Sequence, residues 1–166
     1  YNQTKRQWKF PGGEIIELGA LEHESSVLNY QGPSYHRIAF DEMTHFTPGQ
    51  IDFMKSRIRR RAGCPITLGM RGATNPGGPS HASIKNTFVS EEALAFLRAL
   101  GPKAPTPDGL VFWKGGAAFV PARIADNPHI DFEDYESRLL SMVDPVLRSR
   151  MMNGDWDVAE GLQIQE

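Results

Sequence analysis

Two adjacent carboxylates at the end of an apolar segment are the strongest candidates for chemistry in this sequence. Asp41 and Glu42 form the C-terminal end of residues 35–42, whose pattern is typical of a strand. In nucleotide hydrolases the two carboxylates of such a pair have different roles. The first holds Mg²⁺, usually through water, and the second polarises the water that attacks the γ-phosphate. Two acids before a helix are also typical of helix-dipole partners or surface charges, so the pair alone leaves both interpretations open.

A polar pair in a later loop supports the hydrolytic interpretation. Thr74 and Asn75 follow residues 65–71, which also have the pattern of a strand. A polar residue at the tip of a neighbouring strand can sense whether the γ-phosphate is present and pass the difference to the next loop. The same segment suits a type II turn, since Pro76 and Gly77 fit its second and third positions, and both interpretations can hold together.

A basic stretch is the candidate for binding phosphates. It holds five cationic side chains within seven positions: Lys55, Arg57, Arg59, Arg60 and Arg61. Basic residues also complement the C-terminus of a helix, and a solvated face needs no partner. Contact with DNA and an arginine that acts on a neighbouring subunit are the two functional alternatives.

The elements around these residues predict how they are positioned. A helix that begins with clear capping signals is expected over residues 48–62. With the strand patterns at 35–42 and 65–71 it forms a strand–helix–strand unit, whose two strands run parallel in one sheet. The carboxyl ends of parallel strands open on the same edge, where open α/β sheets bind ligands. We therefore expect an α/β fold in which the acidic pair faces the polar pair across that edge.

The flanking segments predict further short elements. A hairpin with its turn at 11–13 is expected near the N-terminus, and residues 80–100 are expected to be helical in part. Glycine and proline mark 101–116 as a loop, and 117–122 has the pattern of a strand. Two closing helices are predicted from boundary residues at Asp131, Asp144 and Gly154.

The composition excludes several classes of protein. Among 166 residues, 18 basic side chains balance 20 acidic ones, which argues against a uniformly basic nucleic-acid binder. The single cysteine, Cys64, can form neither an internal disulfide nor a Cys-rich zinc site. No apolar run approaches the ~20 residues that span a bilayer, so no membrane association is expected. The phosphate-cradling motif Gly-x-x-x-x-Gly-Lys-Ser/Thr does not occur, so a hydrolytic acidic pair predicts this P-loop upstream of Tyr1.

An ordered series of short segments resembles the large subunit of tailed-phage terminases. The series covers residues 7–158, nearly the whole chain. Its segments are Trp8-Lys9-Phe10 with Gly13 and Ile15, Tyr30-Gln31-Gly32, Tyr35 to Glu42, Ser56-Arg57-Ile58-Arg59, Thr74-Asn75-Pro76-Gly77-Gly78 with His81, Phe119-Val120-Pro121-Ala122, Asp126-Asn127-Pro128 and Gly154-Asp155-Trp156. The combination is far more specific than any one segment.

The resemblance implies a fold and a domain organisation. The terminase large subunit is a DNA-packaging motor, in which an N-terminal P-loop ATPase of the additional-strand class is joined to a C-terminal RNase H-like nuclease. Residues 1–158 are then expected to be the later part of the ATPase domain, an incomplete P-loop NTPase with a mainly parallel sheet flanked by helices, whose first strand and P-loop are missing. Residues 159–166 are expected to begin the linker to an absent nuclease domain. The isolated chain is expected neither to hydrolyse ATP nor to cut DNA.

The resemblance also implies roles, residue by residue. Asp41 resembles the Walker B residue that holds Mg²⁺, usually through water, and Glu42 resembles the catalytic base. Thr74 and Asn75 lie in what resembles the coupling motif, which links hydrolysis to DNA movement. These roles imply ATP and Mg²⁺ as cofactors.

One position departs from the terminase pattern. Relatives often carry an arginine just before the glycine at position 32, and that arginine acts on the nucleotide of the neighbouring subunit. This chain has Gln31 there, so Arg37 or Arg57 is the substitute hypothesis. The candidates for this role or for DNA contact are Arg37, Lys55, Arg57, Arg59 and Arg60.

The implied partners follow from the packaging reaction. They are double-stranded DNA, the portal protein, the terminase small subunit and further copies of the chain in a ring. The resemblance implies the cytoplasm of an infected or lysogenic bacterial host, with no membrane. Two alternatives stay open: a non-catalytic nucleic-acid-binding module that uses the basic stretch, and a fragment of another P-loop motor such as a helicase.

Overall fold

The computed structural model describes residues 1–158 of the chain, which fold as two units. The first unit comprises Tyr1–Ile38 and Gly49–Met70, and the second comprises Ala39–Pro48 and the described residues from Arg71 to 158. The expected linker, residues 159–166, lies outside the described residues. Within residues 1–158, no helix has the length and apolar character needed to cross a bilayer.

Helix α1 (Pro48–Ser56) begins where the sequence predicts, with proline at its first position. The expected end at residue 62 is wrong, because the backbone leaves the helix after Ser56 and pairs with Tyr35. The N–H of Tyr35 donates to the carbonyl of Arg57 at 3.0 Å, and the N–H of Arg59 donates to the carbonyl of Tyr35 at 3.0 Å. Arg57 and the basic residues after it therefore lie beyond α1, so the helix dipole does not account for them.

Strands β3 (Arg37–Phe40) and β4 (Gly69–Gly72) precede and follow α1 in the chain and pair in parallel. The N–H of Ala73 donates to the carbonyl of Phe40 at 3.0 Å, which aligns the carboxyl ends of the two strands. The predicted strand–helix–strand order with a parallel pair is confirmed. Both strands are shorter than expected, and β3 stops before Glu42 because that residue leaves the extended conformation, with φ of 48°.

The first unit contains the predicted N-terminal hairpin. Strands β1 (Gln7–Lys9) and β2 (Ile15–Glu17) are antiparallel, with Trp8 opposite Ile16. The N–H of Phe10 donates to the carbonyl of Glu14 at 2.9 Å and closes a three-residue loop. The predicted hairpin is confirmed.

A second hairpin lies where the sequence predicts only a loop followed by a strand. Strand β5 (Phe112–Lys114) falls within the expected loop 101–116 and pairs antiparallel with β6 (Ala117–Phe119). The loop prediction is wrong there because Phe112 is buried opposite Phe119, while Gly115 and Gly116 make the turn at positive φ. The α/β class is confirmed, but the described residues form three separate two-stranded sheets rather than one mainly parallel sheet.

Four α-helices lie in the part of the second unit that the structure describes. They are α2 (His81–Phe88), α3 (Glu91–Leu100), α4 (Phe132–Leu140) and α5 (Pro145–Asn153). The predicted caps are confirmed: Asp131 accepts from the N–H of Asp134 at 3.2 Å, and Asp144 accepts from the N–H of Val146 at 2.8 Å. Gly154 ends α5 in the left-handed conformation. The buried apolar residues of this unit include Ile84, Val89, Leu94, Leu97, Phe112, Leu139 and Trp156.

Candidate functional site

The acidic pair directly follows β3 in the second unit. Asp41 is exposed and Glu42 is half-buried. Glu42 lies in the left-handed region with φ of 48° and ψ of 55°, a conformation that costs a residue with a Cβ about 1–2 kcal/mol. Among the described non-glycine residues, only Arg6 also has positive φ. Backbone strain of this kind is concentrated at functional sites, where surrounding contacts hold it in place.

The turn after Glu42 supplies those contacts. Residues 43–45 form a short 3-10 helix, in which the N–H of His45 donates to the carbonyl of Glu42 at 2.9 Å. The N–H of Met43 donates to the carbonyl of Ala73 at 3.0 Å, just beyond β4. A Cβ on Gly72 would overlap the side chain of Met43, so only glycine allows this close approach. The position of Glu42 is therefore set by the end of β4 as well as by β3.

Both carboxylates lack protein partners within the described part of the chain. Neither Asp41 nor Glu42 makes a side-chain hydrogen bond or ion pair with any residue between 1 and 158. An unpaired carboxylate keeps its oxygen lone pairs for water or a cation. No group of three or more potential metal ligands occurs among the described residues. The arrangement fits Mg²⁺, which keeps several waters and needs only one or two carboxylates besides substrate phosphates.

A hydroxyl network joins this turn to the loop that carries Thr74 and Asn75. The Thr44 hydroxyl lies 2.7 Å from the Thr74 hydroxyl and donates to the carbonyl of Asn75 at 3.0 Å. The N–H of Thr44 donates to the Thr74 hydroxyl at 3.1 Å. Thr44 is only 1% exposed. The structure thus brings the acidic turn and the polar pair to one edge, with Thr44 rather than a carboxylate making the contact.

Sequence reasoning missed Thr44. The available signal was its position two residues after Glu42, in a turn expected to meet a second polar loop. A lone threonine carries no such information by itself, because its role depends on the register of β3 against β4. The side chain of Asn75 is exposed, and its backbone carbonyl makes the contact with Thr44.

The loop after Asn75 is fixed at its far end as well. The N–H of Ser80 donates to the carbonyl of Thr44 at 3.1 Å. A Cβ on Gly78 would lie 2.5 Å from that carbonyl oxygen, and its φ of 78° also favours glycine. The N–H of Gly77 donates to Nδ1 of His81 at 2.9 Å. Residues 73–80 are thus tied to the acidic turn at both ends.

Two arginines of the first unit surround the turn that contains Gln31. Arg57 donates from Nη1 to the carbonyl of Gln31 at 2.8 Å. Arg59 donates from Nε to the Ser34 hydroxyl at 2.6 Å and from Nη2 to the carbonyl of Gly32 at 3.4 Å. Both guanidinium groups therefore lie beside the turn at residues 31–34.

A second arginine pair lies beside the segment before β4. Arg60 donates to the carbonyl of Ile66 at 2.6 Å, and Arg37 donates to the carbonyl of Thr67 at 3.3 Å. Lys55 is exposed in the last turn of α1. Across residues 1–158, none of these cations forms an ion pair, and neither do Arg57 and Arg59. We call these residues of the first unit the basic cluster: Arg37, Lys55, Arg57, Arg59 and Arg60.

A cleft of about 370 Å³ in the second unit has a different lining. Its walls include Leu94, Leu97, Arg98, Arg123, Trp156 and Asp157, and none of the predicted site residues. Arg123 donates to the carbonyls of Leu97 and Gly101 and so caps the end of α3. Burial lowers the pKa of Arg123 from its usual value. These contacts give Arg123 a structural role.

The residues themselves define what the site can do. Comparisons with protein-family models, curated proteins and solved structures found no match to this chain. The carboxylate of Glu42, on its strained backbone, can accept a proton from water, and Asp41 can hold a hydrated cation beside it. The hydroxyl network can pass a displacement of the acidic turn to residues 73–80.

Proposed function

We propose that this chain supplies the hydrolytic and coupling elements of an ATP-driven motor that moves double-stranded DNA into a procapsid. The motor is the large subunit of a tailed-phage terminase, with a P-loop NTPase fold of the additional-strand class. The observation that supports this most is Glu42, whose carboxylate has no partner among residues 1–158 and whose strained backbone follows the carboxyl end of a parallel strand. Portal protein, small subunit and further copies in a ring are the proposed partners.

Glu42 is the proposed general base. Its carboxylate takes a proton from the water whose oxygen forms a bond to the γ-phosphorus, and the bond from that phosphorus to the β–γ bridging oxygen breaks. ADP leaves with the electron pair of that bond. Asp41, which is exposed, would hold Mg²⁺ through water, and the bound ion would supply neutralisation of phosphate charge.

Thr74 and Asn75 are proposed to couple hydrolysis to DNA movement. Their support is the hydrogen bonding that links them to Thr44, two residues from the base. A shift of Glu42 after the γ-phosphate leaves displaces Thr44, and the loop 73–80 follows because it is bonded to that turn. A Thr74→Val change removes the hydroxyl that bonds to Thr44, so it is expected to leave hydrolysis running while DNA movement slows.

The test is ATP turnover by the parent motor protein that carries the P-loop. Glu42→Gln keeps the size of the side chain and removes the base, so turnover falls by about 10²–10⁴-fold while ATP binding is unchanged. Glu22→Gln, an exposed glutamate of the first unit, is the matched control and keeps full turnover. Normal turnover by Glu42→Gln contradicts the proposal.

A DNA-binding role for the basic cluster is the second candidate function. It is favoured by the absence of ion pairs on these cations within residues 1–158, since cations free of carboxylates remain available to phosphates. In the motor these residues contact DNA, and Arg57, beside Gln31, is the proposed trans-acting arginine. In a non-catalytic module, binding of nucleic acid by the same cluster would be the only activity. A helicase shares the acidic pair but does not fill a procapsid.

A further inference from the structure

The imidazole of His81 bridges the loop that precedes α2 and Trp156, which lies 75 residues after His81 in the chain. Its Nδ1 accepts from the N–H of Gly77 at 2.9 Å. Its Nε2 lies 3.2 Å from the carbonyl oxygen of Trp156. Because Nδ1 is an acceptor, Nε2 carries the proton and donates to that carbonyl. Both ring nitrogens are therefore used, one by each segment.

The face of the same ring packs on Trp156. The two ring centroids are 5.3 Å apart and the planes are inclined by 24°, which is a stacked arrangement. Trp156 is only 4% exposed and also makes an edge contact with Phe119. The stack and the two hydrogen bonds fix the imidazole, so the ring cannot turn without breaking at least one of them.

The conformation of the loop around Gly77 depends on the turn that contains Thr44. Gly77 has φ of 124° and Gly78 has φ of 78°, so the direction of the Gly77 N–H depends on a conformation that glycine alone adopts freely. Thr44 bonds to Asn75 and Ser80 on either side of these glycines. A movement of Thr44 therefore redirects the N–H that His81 accepts.

The other side of the bridge is the described end of the chain. Asp157 forms ion pairs with Lys85, at 2.8 Å, and with Arg98. The Arg150 side chain donates from Nη2 to the carbonyl of Val158 at 2.8 Å. Residues 156–158 are thus held by side chains from α2, α3 and α5. Arg150 also lies close to the loop 73–80, since a Cβ on Gly77 would be 3.2 Å from its Nη1. His81 joins residues 156–158 to that loop through a hydrogen bond on each side.

We propose that His81 is a positioning residue that couples the conformation of the loop 73–80 to that of residues 156–158. When the acidic turn moves, the Gly77 N–H turns away, the imidazole shifts, and the Trp156 carbonyl loses its donor. The use of this coupling to pass a hydrolysis signal toward the C-terminal end rests on the proposed function. The coupling itself needs no nucleotide.

Amide hydrogen exchange of residues 156–158, measured on the 166-residue chain without nucleotide, tests the proposal. Thr44→Val removes the hydroxyl that ties the loop, and it is expected to raise exchange at 156–158 at least threefold. His81→Phe keeps a ring for stacking and removes both nitrogens. In that background, Thr44→Val is expected to raise the exchange rate at 156–158 by less than 1.5-fold. An equal effect of Thr44→Val in both backgrounds, or no effect in either, overturns the proposal.

Lys85→Met is the matched control. It loosens Asp157 without touching His81, so Thr44→Val is expected to keep its full threefold effect in that background. If His81→Phe does not fold, His81→Asn carries the same test, because its Oδ1 takes the place of Nδ1 and nothing replaces Nε2. Since no ATP is present, failure of the coupling is distinguishable from failure of the hydrolytic assignment.

Discussion

A combination of two properties distinguishes Glu42 from the other acidic residues that the structure describes. Its backbone is in the left-handed region, and its carboxylate has no partner among residues 1–158. The sequence predicts the acid pair because two carboxylates after an apolar strand are visible as a pattern. It does not predict the strain, which arises when Met43 is bonded to Ala73 and packed on Gly72. That depends on strand register, which residue types alone do not specify.

Relief of this strain is expected to stabilise the chain. Glu42→Gly removes the Cβ that disfavours positive φ, so the free energy of unfolding rises by about 0.5–1 kcal/mol in urea denaturation. Arg6→Gly is the matched control, since Arg6 has φ of 50° and lies in the first unit. Both variants are expected to gain stability, but only Glu42→Gly abolishes turnover in the parent protein. If Glu42→Gly lowers the free energy of unfolding, the backbone of Glu42 is not strained.

The Thr44 hydroxyl is expected to matter for stability as well as for coupling. Thr44→Val leaves a buried site without the hydrogen bonds to Thr74 and Asn75, so the free energy of unfolding falls by about 1–2 kcal/mol. Thr87→Val is the control, because Thr87 is exposed and its hydroxyl bonds to the carbonyl of Ser83 within α2. Its effect stays within about 0.5 kcal/mol. Equal effects of the two changes contradict the role of Thr44.

Among the elements, α2 and α3 are both tied to the segment that follows α5. Asp157 accepts from Lys85 of α2 and from Arg98 of α3. The hydrogen bond from Lys85, supported by that from Arg98, holds the pKa of Asp157 below its usual value. A carboxyl whose pKa is lowered on folding stabilises the fold above its unfolded pKa, and this contribution is lost as the pH falls through the folded pKa.

Asp157→Asn is therefore expected to have a pH-dependent effect. At pH 7 it lowers the free energy of unfolding by no more than about 1 kcal/mol, because the group is partly exposed and screened by solvent. The difference from the unmodified chain narrows below about pH 4, where carboxyls become protonated. Asp134→Asn, which removes the exposed pair with Arg138 on α4, is the control and costs about 0.3–0.5 kcal/mol. If the difference in the free energy of unfolding between Asp157→Asn and the unmodified chain grows as the pH falls, the lowered pKa of Asp157 is contradicted.

Elements with strong local signals were predictable from the sequence. Caps at Asp131 and Asp144 placed α4 and α5, and the order of β3, α1 and β4 followed from hydrophobic patterns. Two errors share one cause. The basic residues after Ser56 favour a helix by type, yet their backbone pairs with Tyr35. The segment that contains Phe112 is predicted as a loop, yet it forms a strand because Phe112 pairs with Phe119. Pairing with distant residues overrode the local preference.

At the scale of the whole molecule, acidic and basic features belong to different units. The acidic pair and the loop 73–80 lie in the second unit, and the basic cluster lies in the first. The net charge of −2 conceals this division. Affinity for a polyanion depends on where the charges lie and not on their sum, so a nearly neutral chain can still bind DNA.

Removal of the basic cluster is expected to weaken DNA binding in a salt-dependent way. Changing Arg57, Arg59 and Arg60 to alanine reduces the slope of log K against log salt by about 0.9 for each DNA phosphate that the protein no longer neutralises, or about 2–3 altogether. The control variant changes three cations of the second unit to alanine: Lys103, Arg138 and Arg148. Lys103 and Arg138 are ion-paired, and the salt slope of this variant is expected to be unchanged. Equal slopes for the two triple variants, measured by fluorescence anisotropy, contradict DNA binding at this cluster.

The most direct test of the hydrolytic role of Glu42 is single-turnover cleavage of ATP by the parent motor carrying Glu42→Gln. This measurement isolates the chemical step from product release. If Glu42 activates the attacking water, bound ATP stays intact while the unmodified protein converts it to ADP and phosphate. Formation of ADP at the unmodified rate contradicts this role.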